Sequence, residues 1–273
     1  MIDSFWRLIN LKDFSCQKIL KSKVTKNAGW LIGGRVYHMA LAFVVGLLTA
    51  RYLGPGNYGL INYAATYTAF FSSFCTLGIN SVIVKNFVDH PEEEGETIGS
   101  AIILRAISSA LSLVMMVCIT LIVDRGETTT HWVVVLCGVG VLFQVMDTLN
   151  YWFQCKLQSK YAAIATAISY TVVSAYKVWL LFTGKSVEWF AVSTSIDYLV
   201  ASMVLLALYK KQHGPQFSCS LRKAKELLGS SRHFILAGLM VSIYDSTDKF
   251  MLKQVMNEAE VGFYSTAVSL CNT

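Results

Sequence analysis

The chain predicts an all-α, polytopic membrane protein of about eight transmembrane helices, a six-helix bundle followed by the first hairpin of a second bundle. Composition is the first reason. Of 273 residues, 54% are hydrophobic and only 15% charged, and the mean hydropathy is +0.50. Soluble domains do not reach that balance. The second reason is run length: the apolar stretches match the ~20 residues a helix needs to cross a ~30 Å hydrocarbon core, and are too long for barrel strands. The third is a hairpin signature. Trp30 to Ala50 is apolar, Gly54-Pro55-Gly56 supplies a turn, and Tyr58 to Thr76 returns.

The spans follow in order as 30–50, 58–76, 98–123, 132–149, 161–182, 188–208, 233–252 and one that begins at 261. Residues 1–29 form a basic tail able to lie as an interfacial helix on an anionic leaflet. Residues 30–208 make the first bundle, 209–232 a basic linker, and 233–273 the start of a second bundle. Asp89 is expected to cap the third span, with Pro91 at its first position and glutamates in its first turn. A shift of 203 residues lays Gly59 on Gly262 and Ala64 on Ala267, an internal repeat of the kind transporters are built from.

Orientation follows from loop lysines and arginines. With the N-terminus inside, roughly fifteen lie on the inner side and roughly four, Arg51, Arg125, Lys185 and Lys253, on the outer. The N-terminus is therefore expected to be cytoplasmic. The net charge of +6 arises from these flanks, so it does not point to nucleic acid. Seven cysteines show no paired spacing and read as small hydrophobes, not metal or redox ligands. No nucleophile elbow, P-loop, HExxH or dinucleotide fingerprint occurs. No catalytic residue, metal or cofactor is expected, and the chain is not read as an enzyme.

Ionisable residues inside spans are costly and mark functional sites. Arg35, Arg105 and Lys177 lie near span ends, where snorkelling is an alternative to a cavity role. Asp197 and Asp245 lie near mid-span, where a short carboxylate cannot snorkel. Asp245, Asp248 and Lys249 share a helix face, which places Lys249 to pair with Asp245. Two readings stay open for these acids: glue between helices, or a polar cavity for ion coupling or gating by Asp197, Asp245, Asp248 and Lys249. In the second, the bases Arg35, Arg51, Arg105 and Lys177 attract an anionic substrate.

Ala50-Arg51-Tyr52-Leu53-Gly54-Pro55-Gly56-Asn57-Tyr58-Gly59 resembles the first hairpin of bacterial polysaccharide (O-antigen and capsule) flippases. These belong to the superfamily of multidrug, oligosaccharidyl-lipid and polysaccharide exporters. Trp152-Phe153-Gln154-Cys155-Lys156-Leu157-Gln158-Ser159-Lys160-Tyr161 is similar to that family's segment between the fourth and fifth helices, and Asp245 to Leu252 to its seventh helix. The resemblance implies two six-helix bundles around a cavity open alternately to either side. It implies an undecaprenyl-pyrophosphate-linked oligosaccharide as substrate, H+ or Na+ as coupling ion, and a place in the bacterial cytoplasmic membrane among other polysaccharide assembly proteins. It also implies a chain cut short within its second bundle. A cation antiporter of the same superfamily, a membrane polymerase or ligase, and an inactive product are the competing readings.

Overall fold

The computed structural model describes residues 23–271, and among them helices and turns make up the whole fold with no strand. Six helical segments are long and apolar enough to cross a membrane, which agrees with the polytopic all-α class. The residues 1–22 of the expected interfacial tail lie outside those described.

Helix α1 (Lys23–Thr76) is broken at Gly54, whose φ of 72° and ψ of 172° lie outside helical space. A side chain there would be strained, and Pro55 then starts the second limb, where a missing N–H costs nothing. The break reverses the chain. On the first limb, Asn27 bonds Ser159 at 3.0 Å, Tyr37 bonds Thr171 at 2.8 Å, and the Tyr52 hydroxyl donates to the Lys185 carbonyl at 3.4 Å. This limb therefore climbs beside α6 (Ser159–Thr183). On the second limb, Tyr63 donates to Asp124 at 3.1 Å, while the Phe74 carbonyl accepts from Ser108 at 2.6 Å. That limb descends along α3 (Glu94–Val123). Lys156 and Glu94 pair at 2.6 Å, so α3 and α6 start at the same end of the molecule. Two crossings thus share one long helix, as the hairpin signature predicts.

The second limb ends at Thr76, as the sequence reading has it, but other boundaries differ. Leu77 and Gly78 take left-handed conformations, and a further helix, α2 (Asn80–Asp89), carries the chain on. Asp89 therefore closes α2 instead of capping the next helix. Pro91 does open a single 3₁₀ turn, Pro91–Glu93, ahead of α3. The fourth span is interrupted: α4 (Thr128–Phe143) passes through a 3₁₀ turn, Gln144–Asp147, into α5 (Thr148–Cys155). After α6 come α7 (Val187–Lys211), α8 (Leu221–Val255) and α9 (Glu258–Cys271).

Much of the expected linker is helical, because α8 begins at Leu221. What remains non-helical crosses α3 closely. A Cβ at Gly95 or Gly99 would collide with the carbonyls of Gln216 and Ser218. The Ser218 amide donates to the Gly95 carbonyl at 3.2 Å, and Ser220 exchanges hydrogen bonds with Ser100. Buried Lys223 then bonds Glu93 at 2.7 Å. These contacts fix the start of α8 to the first bundle.

Two apolar cores result. One, around Ile83, Phe87, Ile98 and Phe153, lies at the end where α3 and α6 begin. The other, around Tyr63, Phe71, Met116 and Val134, lies toward the Gly54 end and includes Val261 of α9. The repeat read from the sequence is a physical contact here. A Cβ on Gly59 would strike the Glu258 carbonyl, and one on Gly262 would strike the Pro55 carbonyl. Pro55 and Glu258 are themselves 203 residues apart, like Gly59 and Gly262. The contact is therefore reciprocal, as across a two-fold axis.

Candidate transport site

Four elements enclose a polar cavity of about 200 Å³: the first limb of α1, the Gln144–Asp147 turn, α6 and α7. Each break in helical geometry has a use. The 3₁₀ turn brings Gln144 and Asp147 to the wall, while Ser169 and Tyr170 come from α6 and Asp197 and Tyr198 from α7. Ser169 donates to the Asp197 carbonyl at 2.7 Å and also to its carboxylate. Asp147 accepts from Asn150 at 3.3 Å. His38 of α1 packs tilted against Tyr170, with ring centroids 3.6 Å apart, and feels the charges of both Asp197 and Arg35. Lys177, two turns further along α6 from Tyr170, does not line the cavity but feels the charge of Asp197. Two carboxylates and a histidine thus meet at the cavity, with a lysine in electrostatic reach.

Arg105 stands behind this wall and is 1% exposed. Its guanidinium donates to Thr148 at 3.1 Å and to the Asn80 side chain, and it lies 5.8 Å from the centre of the Tyr151 ring. Asn80 opens α2 and Thr148 opens α5, so Arg105 stitches the two helix breaks together. Its Nε remains buried without a partner. Arg35 and Arg51 are exposed on the first limb, and neither forms an ion pair among the described residues. Arg35, His38, Lys177 and Asp197 therefore form one neighbourhood, with Arg51 apart at the Gly54 bend.

The three charges on α8 lie elsewhere, because α8 packs on α1, α3 and α9 and not on α6 and α7. The expected Lys249–Asp245 pair does not form. Asp248 instead accepts from the Lys249 amide at 2.7 Å and from the Tyr264 hydroxyl of α9, while Asp245 is exposed. The close approach of α9, set by the Gly59–Gly262 crossing, is the physical reason Asp248 finds a tyrosine.

A second charged cluster was not singled out from the sequence. Lys253 near the end of α8 reaches Asp124 at 3.2 Å, Glu127 at 2.5 Å and Glu258 at 3.6 Å. It also lies 4.4 Å over the Tyr63 ring, and Asp124 accepts from Tyr63 and Tyr67. Lys253 reads as a plain outer-loop base in the sequence. The available signal was Asp124 at the end of an apolar span, a position that repays asking for a partner. Asp147 was missed for a similar reason: it sits where an unbroken span was expected.

Taken together, the fold and the site define a polytopic helical membrane protein that gathers ionisable side chains between its helices. The chain belongs to the family described as polysaccharide biosynthesis protein, which matches residues 24–273. No curated protein and no solved structure matches the chain.

Proposed function

We propose that this protein moves lipid-linked oligosaccharide units, carried on undecaprenyl pyrophosphate, across the bacterial cytoplasmic membrane by alternating access. The family supports a role in making or exporting polysaccharide. The observation that carries the finer reading is the Asp197 cavity, because acids, His38 and Lys177 held inside a bundle are groups a carrier uses to exchange an ion. In this reading Asp197 and Asp147 take up H+ or Na+, and the exposed Arg35 and Arg51 draw the pyrophosphate. Arg105 holds the cavity wall in shape. The N-terminus is cytoplasmic, and partner proteins of polysaccharide assembly supply and consume the cargo.

Deleting the gene in its own host tests the transport role. Surface polysaccharide should be lost while lipid-linked units accumulate on the cytoplasmic face. Asp197→Asn should restore normal membrane protein level but little export, and Asp197→Glu should restore part. Full surface polysaccharide with Asp197→Asn would remove the coupling role. Loss of polymer without any build-up of lipid-linked units would point to polymerisation instead of transport.

A further inference from the structure

The geometry points to a binding site for an anionic glycerophospholipid, with its head in a lysine pocket and one acyl chain in the groove between α1 and α6. The pocket lies at the end where α3 and α6 begin, measures about 540 Å³, and is walled by Lys26, Lys156 and Lys160 with Trp30 and Tyr161. Among the described residues only Lys156 has an acidic partner, Glu94 at 2.6 Å. Lys160 rests 4.7 Å over the Tyr161 ring, and neither it nor Lys26 forms an ion pair among the described residues.

The floor is held by Asn27, which accepts from the Ser159 amide at 2.7 Å and donates to its hydroxyl at 3.0 Å. This closes the two helices around the positive end of α6, whose first turn contains no acid. Gln158, also on the wall, keeps its side-chain oxygen buried with no donor among the described residues. A headgroup with a phosphodiester and hydroxyls answers both needs: negative charge for Lys26 and Lys160, and an O–H for Gln158.

An apolar groove of about 470 Å³ continues from this pocket and shares Lys26 and Trp30 with it. Gly29, Gly33 and Gly34 face Ala163, Ile164 and Ala167 along it, and no described residue lies within 4 Å of where a Cβ at Gly29 or Gly33 would be. From Lys26 to Tyr37 the groove follows α1 for about 16 Å at ~1.5 Å per residue. That is close to half of a ~30 Å hydrocarbon core, the depth of one leaflet. An acyl chain fits this length, whereas a polyprenyl chain of many isoprene units overruns it. Trp30, half exposed, sits at the junction of head and tail, where an amphipathic ring is favoured. Basic pockets between membrane helices hold anionic headgroups in this way.

The test uses the purified, delipidated full chain and reads bound lipid by native mass spectrometry. The probes are phosphatidylglycerol, phosphatidylcholine, undecaprenyl phosphate and inorganic phosphate. Phosphatidylglycerol should bind at least about ten-fold more tightly than phosphatidylcholine, and inorganic phosphate only weakly. Lys26→Gln with Lys160→Gln should erase that preference, and Gly33→Leu, which fills open space, should cut phosphatidylglycerol binding without lowering the melting temperature. Lys85→Gln with Lys210→Gln should change neither. Equal binding of the two phospholipids, unaltered binding in the Gly33→Leu protein, or displacement of phosphatidylglycerol by equimolar undecaprenyl phosphate would each overturn the assignment.

Discussion

Lys253 carries one positive charge into a ring of three carboxylates, with its own side chain 5% exposed and that of Asp124 2%. A buried ion pair of this kind gains little over apolar packing, but breaking it from one side strands a charge. Lys253→Met is therefore expected to cost about 3–5 kcal/mol, and Lys253→Met with Asp124→Asn to recover most of that. Thermal unfolding in detergent measures both; equal loss in the single and double variants would show that packing, not charge, holds the cluster. Arg105 offers a contrasting prediction. Arg105→Lys keeps the charge but cannot reach Asn80 and Thr148 together, and should cost about 1–3 kcal/mol. Residues such as Arg35 and Asp197 were legible from sequence because charge inside an apolar span is conspicuous. The Lys253 cluster was not, since Asp124 and Glu127 lie 129 and 126 residues away and each looks ordinary in its own loop.

The helices show the same division between what hydropathy reveals and what it hides. Gly54-Pro55 announced the reversal in α1, because glycine supplies the positive φ and proline starts a helix without needing its amide. The end of the second limb at Thr76 was legible too, but helix α2 beyond it was not, and the turn at Gln144–Asp147 stayed hidden inside a span that read as continuous. The early start of α8 was hidden for the opposite reason: Leu221 to Arg232 is too polar to read as part of a span, yet Lys223 is buried against Glu93. Among elements, the α1–α9 crossing gives the sharpest test. Gly59→Ala should destabilise by at least about 1–3 kcal/mol, because its methyl meets a backbone carbonyl that cannot turn aside. Gly56→Ala, which meets nothing within 4 Å, should be neutral or slightly stabilising. Like melting temperatures for the two variants would mean that the crossing is looser than its geometry.

Across the whole molecule, clusters of charge mark both ends. Lys26, Lys156, Lys160 and Lys223 lie where α3 and α6 begin, and Lys253 with its acids lies near the Gly54 reversal. If the first end is cytoplasmic, a cysteine at Ser218 in a cysteine-free background should label only after the inner face is exposed. One at Thr128 should label in intact cells. Labelling of position 218 from outside would invert the orientation.

The reciprocal crossing of Gly59 and Gly262 also imposes a schedule on synthesis. Gly59 leaves the ribosome 203 residues before its counterpart. At about 5–20 residues per second, the second limb of α1 waits roughly 10–40 s with its glycine face uncovered. Throughout that interval the nascent first half has no lock on this side. A chain ending at residue 240 should therefore label at a cysteine placed at Asn57 more readily than the 273-residue chain, even though both hold all of α1.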